Sequence, residues 1–256
     1  DLAIRGNWED SLKDANVLVM LQAQIGGENF LEFKNNNLNS TKNILRIVKE
    51  FQVDRLIHVS SSVVNSLAND FYSQTKRLQE SLVIDSGIEC VILRPTLMFG
   101  WFDRKHLGWL SRFLRKSPIF PIPGNGKYLR QPLYVRDFCK IIISCIMNTN
   151  INGAFDISGL ERINYIDIIY QIKRAVKSRA LVIKIPYRLF YILIKIWTIF
   201  DKKPPFTVHQ LEALIIKEEF NIIDWPKIFK VQSTSHSEAI NETFTHPTFS
   251  HVKLDF

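Results

Sequence analysis

The sequence predicts an α/β protein with a doubly wound parallel sheet and a small, mostly helical C-terminal lobe. Short apolar runs at Val17, Leu56, Val91 and Phe155 are each followed by a helical pattern, which is typical of parallel βαβ units. The runs at Leu56 and Val91 lie within about forty residues of each other, with one helical segment between them. The chain has 256 residues, of which 46% are hydrophobic and 23% charged, and this is enough for one globular domain with an appended lobe.

The first strand and helix are predicted from residues 15 to 51. The apolar run that ends at Leu21 indicates a buried strand. Apolar residues at helical spacing follow Asn37, so the helix is expected to begin at this asparagine. Asn37 is interpreted first as the N-cap of that helix, and a place in an active-site hydrogen-bond network is the alternative.

The next strand and the helix after it hold the residues with the clearest chemistry. The strand ends in Ser60, Ser61 and Ser62, and ligands of open α/β sheets bind outside the carboxyl ends of the strands. Tyr72 and Lys76 lie one helical turn apart, so their side chains leave the same face of the helix. An ammonium beside a phenol favours phenolate, and the pattern therefore predicts that Lys76 lowers the pKa of Tyr72, which then moves a proton.

These motifs resemble the extended short-chain dehydrogenase/reductase superfamily, in its NAD-dependent epimerase/dehydratase branch. The resemblance rests on residues 59–62, on Tyr72 and Lys76 followed by Glu80, and on the Leu-Arg-Pro-Thr-Leu-Met-Phe-Gly segment at 93–100. It implies a Rossmann-like fold in which Lys76 also binds the nicotinamide ribose of NAD or NADP.

The resemblance also assigns roles to individual residues. Tyr72, Lys76 and a serine form the catalytic set, and the serine is Ser61 or Ser62, between which the resemblance does not choose. The residues implied to contact the cofactor are Asp1, Leu2, Leu21, Gln22, Ala23, Asn37, Ser60, Tyr72, Lys76, Pro95 and Leu97.

The amino-terminal segment resembles the family between its third and fourth strands. No Gly-x-Gly-x-x-Gly motif, which lets a helix N-terminus approach the pyrophosphate, occurs in the 256 residues. We therefore expect the sequence to begin after the first βαβ unit of a longer protein, so that its sheet lacks that unit; a natural loss of cofactor binding is the alternative. On either account the chain as written is expected to bind dinucleotide weakly and to be inactive by itself.

The second half of the chain is expected to supply the substrate lobe. Residues 1–160 are predicted to form the partial dinucleotide-binding domain, with a substrate-lobe insertion at about 101–134, and residues 161–256 to form the helical lobe. The segment that begins at Arg130 resembles the family's Arg-Asp-x-x-Tyr-Val-x-Asp motif, whose arginine commonly contacts a substrate phosphate. The resemblance thus implies that Arg130 binds substrate, whereas Asp137 is interpreted as a helix cap.

The densest apolar run of the chain lies at residues 181–200. Three basic residues interrupt it and Pro186 breaks it, so it falls short of the about 20 consecutive apolar residues of a transmembrane helix. A helix in the core of the lobe is the first interpretation. The alternative is an amphipathic helix at 186–200 that lies on an anionic membrane, helped by Lys202 and Lys203.

Composition limits the compartment and the partners. Cys90, Cys139 and Cys145 sit in apolar patterns without paired spacing, which favours buried free thiols in the cytoplasm over a metal site. The formal net charge of +8 permits an anionic partner. Because no basic cluster with interleaved aromatic residues occurs, a nucleotide-linked small molecule is favoured over nucleic acid. The sequence leaves a homodimer open.

Together with the resemblance, these observations predict an NAD(P)-dependent oxidoreductase, epimerase or dehydratase that acts on a carbinol of a nucleotide-sugar-like substrate. Hydride transfer would be coupled to proton transfer by Tyr72. The alternative is a non-catalytic dinucleotide-binding assembly or regulatory protein, of the kind of the dehydrogenase-like subunits of respiratory complex I. The loop from Ser62 to Tyr72, which is shorter than is usual in sugar-nucleotide epimerases, leaves room for it, whereas retention of serine, tyrosine and lysine together favours the enzyme.

Overall fold

The computed structural model describes residues 1–200, 208–215 and 220–252. Its strands are β1 (Val17–Met20), β2 (Arg55–Val59), β3 (Cys90–Pro95), β4 (Met98–Phe99), β5 (Ile119–Pro123), β6 (Leu129–Arg130), β7 (Leu133–Tyr134), β8 (Gly153–Ile157), β9 (Ile163–Asn164) and β10 (Leu181–Ile185). Its α-helices are α1 (Phe30–Phe33), α2 (Ser40–Glu50), α3 (Phe71–Asp85), α4 (Leu107–Lys116), α5 (Val135–Met147), α6 (Tyr165–Ala175), α7 (Tyr187–Phe200), α8 (Val208–Ile215), α9 (Trp225–Phe229) and α10 (His236–Thr245). Lys202 and Lys203 lie outside the described residues.

The chain divides into two compact units, each built from three segments. Unit 1 comprises residues 1–96, 138–157 and 222–232, and unit 2 comprises residues 97–137, 158–221 and 233–256.

A four-stranded parallel sheet forms the centre of unit 1. Its strand order is β1-β2-β3-β8, with Leu56 opposite Cys90 and Leu93 opposite Phe155. The parallel pairing confirms the predicted α/β class. Each of the four apolar runs that predicted a strand forms a strand of this sheet. Buried side chains from β1, β2, β3, α2 and α3 make a continuous core: Met20, Ile44, Leu45, Val48, Leu56, Val83 and Ile92.

Helix α3 is positioned by clear signals at both ends. Asp70 caps its first turn, because the carboxylate Oδ1 accepts a hydrogen bond from the backbone N–H of Ser73 at 2.9 Å. The helix ends before Gly87, whose φ of 67° is a left-handed conformation that glycine adopts without strain. The helix therefore starts one residue before Tyr72 and presents its first turn near the end of β2.

Unit 2 combines short paired strands with helices. Strands β5 and β10 pair in parallel, and the core of the unit is formed by buried residues of α4, α6, α10 and β5. Gly126, in the only Gly-x-Gly of the sequence, has a φ of 73°, and a Cβ atom there would lie 2.8 Å from Cβ of Ile166. This turn therefore serves close packing against α6.

Two local expectations are wrong. Helix α5 begins at Val135, so Asp137 lies in its first turn, where its carboxylate accepts hydrogen bonds from the backbone N–H (2.7 Å) and the hydroxyl (2.9 Å) of Thr234. Cys139 is exposed, while Cys90 is half-buried and Cys145 is buried. The bond between Asp137 and Thr234 could not be predicted, because Thr234 is distant in the sequence and the local pattern around Asp137 does not indicate it.

Within the described ranges, no helix has the length and apolar character needed to cross a bilayer.

Candidate active site

Tyr72 and Ser61 lie beside each other in unit 1. Ser61 caps the short 3-10 helix Ser62–Asn65 with its hydroxyl, which accepts from the N–H of Val63 at 3.3 Å. The same serine lies close enough to the half-buried phenol of Tyr72 to influence its pKa. Burial raises the pKa of Tyr72, and Ser61 lowers it by less. The phenol is therefore protonated near neutral pH, and Ser61, not Ser62, is the serine placed against it.

Lys76 is buried in the same helix, with 1% of its surface exposed. Its ammonium donates to Oε1 of Gln79 at 2.6 Å and to the backbone carbonyl of Val59 at 3.2 Å. Burial lowers the pKa of Lys76 to about 8, although the carboxylate of Glu80 acts in the opposite direction. Lys76 is thus a charged group near neutral pH that releases its proton more readily than an exposed lysine.

The expected effect of Lys76 on Tyr72 is not found. The pKa of Tyr72 is raised by burial and by the charge of Asp70, while Ser61 lowers it by less than burial raises it. The reason is that the Lys76 ammonium is held by Gln79 and Val59, acceptors on its own helix and on the end of β2. Spacing along a helix puts two residues on one face, but it does not say which acceptor the longer side chain will reach.

A hydrogen-bond network links Lys76 to the residues after β1. Gln79 donates through Nε2 to Oγ1 of Thr41 at 2.9 Å, and the same oxygen accepts from Nε2 of Gln22 at 3.3 Å. Gln22 is one of the predicted cofactor residues, so the network joins it to the predicted catalytic lysine. Gln79 and Thr41 were missed in the sequence, although Gln79 lies three residues after Lys76, a spacing at which helical side chains meet.

Asn37 belongs to this polar region, and its interpretation as a helix cap is wrong. The helical stretch begins earlier, at Phe30, where Asn29 caps it by accepting from the N–H of Leu31. Asn37 is fully buried in a π-helical turn, Lys34–Asn39, and donates to Oγ1 of Thr75 on α3 at 2.9 Å. π-Helical turns are frequent at functional sites. The geometry therefore supports the hydrogen-bond network that was the alternative.

Ser60 and Glu80 form a second polar cluster behind the first. The Ser60 hydroxyl donates to Oε2 of Glu80 at 2.5 Å, and the guanidinium of Arg94 donates through Nε to both carboxylate oxygens at 3.1 Å. The carboxylate Oδ1 of Asp156 lies 3.6 Å from Nη1 of Arg94. The cluster ties the ends of β2 and β3 to α3, which holds the Ser61 and Tyr72 pair in place.

The remaining predicted residues fall in several places. In unit 1, Asp1 and Leu21 are exposed, Leu2 and Ala23 are half-buried, and Pro95 is buried at the end of β3. In unit 2, the carbonyl of Leu97 accepts from the N–H of Leu133 at 2.8 Å.

Arg130 is also in unit 2, and it is buried. Its guanidinium donates to the carbonyl of Leu129 at 2.8 Å and to the carbonyl of Leu214. The predicted phosphate contact of Arg130 stays a prediction. Within the described part of the chain, no group of three His, Cys, Asp or Glu residues could hold a metal ion.

The residues of unit 1 fit one end of a dinucleotide. Among the described residues, two oxygen atoms accept from the Lys76 ammonium, which has three N–H bonds, so one is left for a ribose hydroxyl. For the pyrophosphate, by contrast, the 256 residues hold no Gly-x-Gly-x-x-Gly turn. The part of the dinucleotide that the residues of unit 1 fit is therefore the nicotinamide ribose.

The parallel sheet, with Ser61, Tyr72 and Lys76 beside the carboxyl end of β2, defines a Rossmann-fold protein of the short-chain dehydrogenase/reductase class. Residues 1–157 match the model of the NAD dependent epimerase/dehydratase family, and the chain belongs to this family. NAD, which was predicted together with NADP, is the cofactor of the family.

Known structures share the fold. The UDP-glucuronic acid 4-epimerase of Bacillus cereus, solved in complex with NAD, is 20% identical with a TM-score of 0.71, over 94% of this chain and 76% of that one. The UDP-glucose 4-epimerase of Thermotoga maritima, solved with UDP-glucose, is 13% identical with a TM-score of 0.69, over 92% of this chain and 80% of that one. At these identities the likeness concerns the fold alone.

Curated relatives include subunits of mitochondrial NADH dehydrogenase. Subunit 9 of the mitochondrial NADH dehydrogenase [ubiquinone] 1 alpha subcomplex from Arabidopsis thaliana is 26% identical over 59% of this chain and 39% of its own length. The mitochondrial NADH-ubiquinone oxidoreductase 40 kDa subunit from Neurospora crassa is 24% identical over 74% of this chain and 49% of its own length. The chain thus spans less than half the length of these relatives.

Proposed function

We propose that this chain carries the acid/base site of an NAD(P)-dependent oxidoreductase, epimerase or dehydratase that reacts at a carbinol. The observation that carries the proposal is the placement of Ser61 beside the protonated, half-buried phenol of Tyr72, on the helix that also buries Lys76. A phenol with a raised pKa is a competent proton donor to a developing alkoxide, and a serine beside it can bind the same oxygen. The family assignment supports NAD as the hydride carrier.

Each residue has a distinct task in this scheme. When bound, NAD or NADP supplies or accepts the hydride. Tyr72 gives its phenolic proton to the oxygen of a substrate carbonyl in the direction of reduction and becomes phenolate. In the direction of oxidation it is the phenolate form, a minor fraction near neutral pH because the pKa is raised, that takes the proton from the carbinol. Ser61 orients that oxygen, and Lys76 holds the nicotinamide ribose with the N–H that Gln79 and Val59 leave to it.

A nucleotide-linked sugar is the proposed substrate class. The support is the likeness in fold to epimerases solved with UDP-sugars, together with the net charge of +8, which suits a diphosphate. Arg130 is the proposed phosphate contact of such a substrate, on the resemblance of its segment alone.

The replacement of Tyr72 by Phe tests the acid/base role. Because the 256 residues by themselves are expected to bind dinucleotide weakly, the test uses the natural full-length protein, which is incubated with NAD and UDP-glucose or UDP-glucuronic acid while reduced nicotinamide and epimerised sugar are measured. We expect Tyr72→Phe to lower turnover by about 10²- to 10⁴-fold, because general acid/base catalysis contributes factors of that size. Tyr170→Phe, at a tyrosine that is exposed on α6, is the matched control and should keep full turnover. Equal turnover of the Tyr72 variant would contradict the proposal.

A second candidate is a dinucleotide-binding assembly protein without turnover. The observation that favours it is the similarity to mitochondrial NADH dehydrogenase subunits. It is also consistent with a Lys76 ammonium that is engaged by Gln79 and Val59 and does not lower the pKa of Tyr72. In the same assay this candidate predicts bound dinucleotide, no turnover of the unmodified protein, and no change on Tyr72→Phe.

A further inference from the structure

Helix α7 exposes apolar side chains that the proposed chemistry does not use. Leu189, Ile192, Leu193, Ile196 and Trp197 have between 46% and 55% of their surface exposed. At 100° per residue these five cover one contiguous arc of about 140° on the helix. We call them the α7 face. A contiguous apolar surface of this kind marks a contact with something outside the chain.

The segment of the sequence that contains the α7 face carries charges of one sign. From residue 168 to residue 200 the sequence has no Asp or Glu and seven basic residues: Lys173, Arg174, Lys177, Arg179, Lys184, Arg188 and Lys195. Arg188 and Lys195 lie on α7 itself, next to the apolar arc, and both are exposed. The surface that a contact must complement is therefore both apolar and cationic.

Aromatic side chains accompany the two helical cations. The ammonium of Lys195 lies 4.7 Å from the ring centre of Tyr191, and the rings of Tyr191 and Tyr187 are 6.2 Å apart. Tyrosine, tryptophan and basic residues beside an apolar helical face are typical of the boundary between lipid chains and headgroups.

An apolar cavity opens on the same side of the helix. It has a volume of about 620 Å³, and residues of α4, β5, α6, β10, α7 and α8 line it. Leu193, Ile196 and Trp197 belong both to the α7 face and to the cavity wall. Its aromatic lining is Trp109, Phe113, Phe120, Tyr165, Phe190 and Trp197. Any molecule that covers the α7 face therefore meets an apolar space suited to a hydrocarbon chain.

We propose that the α7 face binds the surface of an anionic lipid bilayer, with α7 lying in the interface and the cavity open to acyl chains. Arg188 and Lys195 meet the anionic headgroups, while the apolar arc enters the acyl boundary. A protein partner or a second copy of this chain could also cover an apolar face, but a run of seven cations without a carboxylate is complementary to anionic lipid. The proposal is independent of the proposed enzymatic function.

Flotation with vesicles tests the proposal on the full 256-residue chain. We expect binding to phosphatidylcholine vesicles that contain phosphatidylglycerol, weaker binding to phosphatidylcholine alone, and a loss of binding as salt is raised. Arg188→Gln with Lys195→Gln should weaken binding to the anionic vesicles by about 30-fold, the factor that corresponds to two cations near such a surface. Ile192→Asp with Ile196→Asp should weaken it by more than about 100-fold.

The control pair is Ile143→Asp with Met147→Asp. These residues are also apolar, exposed and four positions apart, on α5, with 57% and 79% of their surface exposed. Circular dichroism of every variant checks that it is folded. The control should bind vesicles like the unmodified chain, and equal losses in the two pairs would overturn the proposal.

Brominated lipid reports the depth of the contact. Bromine on the acyl chains should quench tryptophan fluorescence, and Trp197→Phe should remove most of that quenching. Absence of vesicle binding would overturn the proposal. A dimer in sedimentation velocity that Ile192→Asp with Ile196→Asp dissolves, again without vesicle binding, would assign the face to a second copy of the chain instead.

Discussion

Helices α3 and α7 distribute their side chains in opposite ways. On α3 the buried residues are mostly polar: Ser73, Thr75, Lys76, Gln79 and Glu80 each have no more than 6% of their surface exposed. Burial of polar and charged groups is costly unless each one finds a partner. Hydrogen bonds of α3 supply such partners, from the ends of β2 and β3 and from Asn37 and Thr41.

On α7 the exposed residues are mostly apolar, and among its described side chains Ile194 is the one that is buried. Both helices thus depart from the simple rule that apolar side chains face inward and polar ones outward. The two helices depart from this rule for different reasons. Polar groups inside unit 1 are held by one another and shape a site, whereas the apolar groups of α7 lie exposed on the surface of unit 2.

Removal of Glu80 should have the largest effect on stability. Glu80→Ala leaves the guanidinium of Arg94 without its main carboxylate and Ser60 without its acceptor, so we expect the free energy of unfolding to fall by about 4 kcal/mol. Glu50→Ala is the control, since Glu50 pairs with Arg46 but has 54% of its side chain exposed; it should cost less than about 0.5 kcal/mol. Urea unfolding measures both. Similar losses would show that the α3 cluster adds nothing beyond a surface ion pair.

Alkaline pH should strengthen the fold through Lys76. The pKa of Lys76 is lowered from 10.5 to about 8, so between these values the unfolded chain binds more protons than the folded one, and stability rises with pH. The expected gain between pH 8 and pH 10 is about 2 kcal/mol.

Urea unfolding at several pH values measures this gain. Lys76→Met should remove it, whereas Lys49→Met, at an exposed position of α2, should keep it. A Lys76→Met profile that rises like that of the unmodified chain would assign the effect to another group.

The strands and several helices could be predicted because their signals are local. The runs at Val17, Leu56, Val91 and Phe155 became four strands of one sheet, and the helical pattern that follows Phe155 became α6. Apolar runs of strand length and helical periodicity depend on neighbouring residues only.

The errors concern side chains whose partners are remote in the sequence. Asn37 was taken for a cap because its bond to Thr75 spans 38 positions, and the effect of Lys76 on Tyr72 was mistaken because Val59 competes for the ammonium. In the same way, β5 and β10 could not be paired in advance, since 57 positions separate Pro123 from Leu181 and neither segment indicates its partner. The candidate site was thus predicted in its residue types but not in its electrostatics.

The smallest effect on stability is expected on the α7 face. Ile192 has 51% of its surface exposed, whereas Ile194, two residues further along the same helix, has 8% exposed. Ile192→Ala should change the free energy of unfolding by no more than about 0.5 kcal/mol, while Ile194→Ala, which opens a cavity in the packed side of α7, should cost about 3 kcal/mol. Thermal unfolding of the two variants compares them directly. A cost above about 2 kcal/mol for Ile192→Ala would mean that the folded chain itself covers this residue, and the contrast with α3 would then fail. A negligible cost leaves the exposed isoleucine without a role in folding, and a contact with another molecule becomes its remaining physical explanation.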